Sequence, residues 1–65
     1  MYILVEEPKG GEMLDAYNSL DESFGTEEFS EGQGLSVISL GLEVDNTRAK
    51  ELLTNLVARG CAEEK

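Results

Sequence analysis

Met13, Tyr17, Leu20 and Phe24 recur at spacings of four, three and four, while Asp15, Asp21 and Glu22 lie off that line. This is the period of an α-helix with one apolar stripe, starting near Glu12, and Gly25 supplies its C-terminal stop. Upstream, residues 2–6 (YILVE) form a β-branched and aromatic run that Pro8, Gly10 and Gly11 end. That pattern predicts a short strand. Near the other end, Ala49, Leu52, Leu53, Leu56 and Val57 fall at i, i+3, i+4, i+7 and i+8. They make a full core-facing stripe on a third helical segment. Asp45 or Asn46 can cap it, and Gly60 sits where a C′ glycine belongs. The five residues beyond, CAEEK, suffice for one short strand or a frayed tail.

Between these elements, EFSEGQGLSVISLGLEV (residues 28–44) supports two readings. Val37, Ile38 and Val44 are β-branched, and Leu40, Leu42 and Val44 alternate, as in a strand. Against that, Ser30-Glu31-Gly32-Gln33 has the form of a capping box. Leu35, Ile38 and Leu42 then follow at helical spacing. Gly32, Gly34 and Gly41 each weaken a helix by about 1 kcal/mol relative to alanine. The helix is the preferred reading. A strand at 35–44 would instead give a β-α-β-α order, half of a ferredoxin-like sandwich that would have to dimerise. The expected fold is therefore mainly α with a small β component. Residues 1–65 make one domain of three helices, with an N-terminal strand placed to pair with Cys61–Glu64.

Size and composition narrow the chemistry. A domain of 65 residues buries only about 60% of its unfolded surface. Tyr2, Tyr17, Phe24 and Phe29 are its only aromatics, so aliphatic side chains must fill most of the core. The single cysteine, Cys61, forms no internal disulfide, and histidine is absent. Cys–His zinc spacings and histidine-based triads are thereby excluded. Cys61 reads as a small buried hydrophobe. The apolar run at Tyr2–Val5 is far short of a membrane span, and the N-terminus lacks a signal-peptide layout. A cytoplasmic protein is expected.

Enzyme readings find little support. Glu6-Glu7, Glu27-Glu28 and Glu63-Glu64 are adjacent pairs, and neighbours on a strand point to opposite faces. GQGLSVISLG lacks the lysine of a phosphate-binding loop. DESFGTEE does not place its acids at the positions of a calcium loop. No catalytic residue, cofactor or metal is expected.

The charge is uneven. Eleven Glu and three Asp oppose five basic residues, for a net charge of −9. Residues 45–60 hold three of those five cations and sum to +1, leaving −10 on the remainder. Acidity of this kind keeps a small protein soluble. It also suits a basic partner, or imitates nucleic acid.

The segment FSEGQGLSVISLGLEVDNTRAKELLTNLVARGCAEEK resembles the helix-turn-helix core of winged-helix regulators of the MarR-like kind. In that family a Phe-Thr-x-x-Glu-Ala opening leads to a short helix and a polar joint. A helix with an Ala-x-x-Leu-Leu-x-x-Leu stripe follows, then Gly and an apolar residue that starts the wing. Phe29, Ala49, Leu52, Leu53, Leu56, Gly60 and Cys61 stand at those positions, and the likeness spans about residues 12–64. These are mostly core residues, which speak for a fold more than a function. Two departures stand out. Glu43 occupies the joint position where the family places glycine or another small residue, and five residues after Gly60 cannot form a full wing.

The resemblance implies DNA binding, with helix 46–59 as recognition helix entering the major groove. Opposite its apolar stripe lie Arg48, Glu51, Asn55 and Arg59, flanked by Thr47, Lys50 and Thr54. Arg48, Asn55 and Arg59 suit base edges, and Thr47 and Lys50 suit phosphates. Five cations give a salt slope of only about −4.5 per monomer, against fourteen carboxylates. Duplex DNA would thus be bound only by a dimer, its two recognition helices about 34 Å apart. The N-terminal strand, apolar and at a sheet edge, would offer one way to dimerise. The alternative on the same fold is an acidic protein-interaction module or nucleic-acid mimic. Its surface would draw on Glu6, Glu7, Glu12, Glu27, Glu28 and Glu31.

Overall fold

Five elements follow one another in a computed structural model that describes all 65 residues. They are β1 (Tyr2–Leu4), α1 (Gly11–Phe24), α2 (Glu31–Leu42), α3 (Asn46–Ala58) and β2 (Ala62–Glu64). The fold is mainly α with a small two-stranded sheet, as the periodicities predict. The ambiguous middle stretch is helical, so the β-α-β-α alternative falls. Its capping box is complete: Ser30 Oγ accepts from the Gln33 amide at 3.1 Å, and Gln33 Oε1 accepts from the Ser30 amide at 2.8 Å.

The tail is a strand, not frayed. β1 and β2 pair antiparallel in the register Tyr2↔Glu64, Ile3↔Glu63 and Leu4↔Ala62. On its other side, Tyr2 exchanges both backbone hydrogen bonds with Phe29, at 2.7 and 2.9 Å. β1 is thus an edge of a two-stranded sheet, as the sequence suggested, with its outer side bridged by Phe29 at Tyr2 alone. The expected strand also ends early, at Leu4 instead of Glu6. The amides of Val5 and Glu6 both donate to the Cys61 carbonyl, at 2.8 and 3.2 Å. Two residues opposing one is the geometry of a bulge, and it stops the ladder.

The helix ends explain how the chain turns. After α3, Gly60 takes φ 77, the left-handed conformation that glycine adopts without Cβ strain. Its amide donates to Val57 and that of Cys61 donates to Leu56, the paired bonds of a Schellman motif. α2 ends differently. Glu43 is left-handed at φ 56, the sole non-glycine residue with positive φ. Ser39 holds this joint from both sides: its carbonyl accepts from the Val44 amide at 3.1 Å, and its hydroxyl donates to the Val44 carbonyl at 2.5 Å. The joint turns without glycine because these bonds fix it. Asp45, not Asn46, caps α3, accepting from the Arg48 amide at 2.9 Å.

Ala49, Leu52, Leu53 and Leu56 of α3 are buried as their spacing requires, and Val57 packs at the margin. They meet Ala16 and Leu20 of α1, Ile38 of α2, and Tyr2, Phe29, Cys61 and Ala62 from the strand layer. Met13, Tyr17 and Phe24 border this core and are half-buried, while Ala16 is fully buried between them.

Candidate nucleic-acid interface on the third helix

Burying the stripe of α3 turns its opposite face to solvent. Thr47, Lys50, Glu51, Thr54 and Asn55 surround a shallow open hollow there. Three of the five residues expected to contact DNA, Thr47, Lys50 and Asn55, are thus side by side. The other two are not with them. Arg48 turns toward the start of α1, where its Nη2 donates to Glu12 Oε1, and its Nη1 donates to Glu51 Oε1 at 3.3 Å. The bond to Glu12, followed by that to Glu51, holds the guanidinium above its usual pKa. Arg59 lies at the far end of α3, where it lines a separate hollow with Glu6, Glu7 and Lys9.

The electrostatic consequence is specific. Of the cations on the exposed face of α3, Lys50 alone lies in the hollow and forms no salt bridge, and Glu51 stands beside it. A guanidinium that reads a guanine edge must present both donors. Those of Arg48 are engaged by two carboxylates. The Glu12 partnership lies 36 residues away in sequence, and no local pattern signals it. It arises because the first turns of α1 and α3 are brought together by packing.

A second polar cluster sits on the strand layer. The Tyr2 hydroxyl donates to Glu31 Oε1 at 3.2 Å, and Glu64 lies directly across from Tyr2 in the sheet. Burial first, and then the charges of Glu64 and Glu31, raise the Tyr2 phenol above its ordinary value of 10.0. Tyr17 is raised as well, chiefly by burial and then by Asp21. A raised folded-state pKa favours the neutral phenol, so this stability is fully present below about pH 10 and is lost as pH rises through the folded value. Urea midpoints measured up an alkaline series should therefore fall, and Tyr2→Phe should flatten that fall. An equally steep decline in the variant would show that Tyr2 does not contribute.

Other chemistry is sparse. Cys61 is a free, buried thiol, as its apolar reading predicted. No group of three or more His, Cys, Asp or Glu side chains is arranged to hold a metal ion. No helix is long and apolar enough to cross a membrane. Compared with known proteins, the chain matches no family model, no curated protein and no solved structure.

Proposed function

We propose that this chain is an acidic protein-interaction module that binds a basic partner, on a three-helix core resembling the helix-turn-helix of winged-helix proteins. One observation carries the reading: Arg48, the lead candidate for base recognition, is bound by Glu12 and Glu51. Without it, the hollow on α3 holds Lys50 beside Glu51 and has no net positive charge to offset a molecule at −9. Phosphate contact supplies most of the non-specific affinity of DNA-binding proteins, and a face like this supplies little of it. A basic protein surface meets the opposite situation, since charge draws it in and speeds encounter. The module acts in the cytoplasm on this reading, without catalysis, cofactor or metal.

Fluorescence anisotropy with a labelled Lys-rich peptide and a labelled DNA duplex tests this. The peptide should bind at low salt and release as the Debye length falls below about 8 Å, while the duplex stays free. A duplex that binds at low salt while the peptide does not would overturn the proposal.

The transcription-regulator reading keeps one observation in its favour. Thr47, Lys50 and Asn55 lie together and open to solvent on α3. On that reading a dimer presents two such faces to successive major grooves, and Lys50→Glu abolishes duplex binding without unfolding the protein.

A further inference from the structure

α2 is unlike its neighbours. From Gly32 to Leu42 it carries no charged residue, in a chain whose composition is 29% charged. Its solvent face is carried by small and uncharged residues, Gln33 and Ser36 among them, together with Leu40. Leu40 is 82% exposed, the most exposed large hydrophobic residue in the molecule. One exposed leucine is ordinary, but its surroundings are not. Val37 and Leu40 border an open hollow with Glu22 of α1, and a neighbouring hollow is bordered by Asp15. Ser19 and Gly41 line both. There the two helices approach closely, and a Cβ on Gly41 would sit 2.5 Å from Ser19 Oγ. Together the two hollows make a furrow along the α1–α2 seam, with Val37, Leu40 and Leu42 on the α2 side and Glu12, Asp15 and Glu22 among the polar side chains of α1. No basic side chain lines it. Arg48 approaches only one end, where it is bound to Glu12.

We infer that the α1–α2 furrow is the docking site of this module, and that its occupant is a basic amphipathic helix with an apolar stripe seated on Leu40 and Val37. The inference rests on the acidic-module reading and names the surface and the partner's chemistry. Charge complementarity selects the occupant: lysines or arginines flanking the stripe meet Asp15 and Glu22. Helix-in-groove docking needs apolar anchors spaced at i, i+3 and i+4, which a furrow between two packed helices accepts. An extended strand has nothing to pair with here, because the backbones on both sides are already bonded within their helices.

The test uses the full chain and an amphipathic Leu/Lys helical peptide. A scrambled peptide of identical composition, without an apolar face, serves as the comparison. The ordered peptide should bind more tightly than the scrambled one, and amide shifts should concentrate on Ser19–Ser23 and Val37–Gly41. Leu40→Ser is expected to weaken the ordered peptide about tenfold, as loss of a buried leucine contact does. Because Leu40 is so exposed, its replacement should leave the urea midpoint in place. Asp15→Lys with Glu22→Lys should slow association by about tenfold at low salt. Equal binding of both peptides, or an unchanged affinity for Leu40→Ser, would overturn the furrow. If shifts then gathered at Glu27, Glu28 and Glu31, the acidic module would stand with a different surface. If neither peptide bound, both proposals would fall together.

Discussion

Phe29→Ala is expected to leave much of the protein unfolded at room temperature. The ring is fully buried and stacks on Phe24 with centroids 4.7 Å apart and on Tyr2 at 5.9 Å. Its backbone exchanges both hydrogen bonds with Tyr2, so the same residue joins the strand layer to the entrance of α2. Truncating a buried phenylalanine costs about 3–5 kcal/mol. A domain of this size lies near the low end of the usual range of about 5–15 kcal/mol, so little would remain. Phe29→Leu, which keeps most of the volume, should retain a cooperative transition at a lower urea midpoint. An unmoved midpoint for Phe29→Ala would show that the ring does not join the layers. Leu53→Ala, at the centre of the α3 stripe, should cost about 2–5 kcal/mol for the same cavity reason.

Two glycines of α2 should respond in opposite directions to added side chains. A Cβ on Gly34 would meet the Phe29 ring at 3.0 and 3.1 Å, and Leu53 at 3.6 Å. The ring cannot give way without disturbing its stacks, so Gly34→Val should cost about 1–3 kcal/mol of overpacking. At Gly32 the nearest atom is Ser30 Oγ at 4.0 Å. There Gly32→Ala should raise stability by about 0.4–1 kcal/mol through helix propensity and a less flexible unfolded chain. Paired chemical denaturation curves decide it. A Gly34→Val protein as stable as the wild type would contradict the close approach of α2 to Phe29.

The same glycines mark the limit of what the sequence reveals. Gly32, Gly34 and Gly41 weigh equally against a helix when read by propensity alone. Only the fold separates them, because Gly34 admits Phe29 and Gly41 admits Ser19, whereas Gly32 touches almost nothing. The α3 stripe, the Ser30–Gln33 box and the glycines at 25 and 60 were legible because each is a local rule acting within one turn. Ala16 escaped the α1 stripe because a small side chain contributes little to an apolar period, though packing buries it completely. The bridge from Tyr2 to Phe29 on the outer side of β1 was not legible, because nothing near Tyr2 announces that partner. Arg48 followed the rule for an exposed recognition residue. It is bound to a carboxylate that only tertiary packing brings near.

The central claim, that the exposed face of α3 does not receive duplex DNA, is most directly tested by titrating isotopically labelled protein with a DNA duplex at low salt. The amide resonances of Thr47, Lys50 and Asn55 are the reporters, followed in the wild type and in Lys50→Glu. The acidic-module account predicts that all three stay in place as duplex is added. Progressive shifts of these three residues in the wild type, lost in Lys50→Glu, would contradict it.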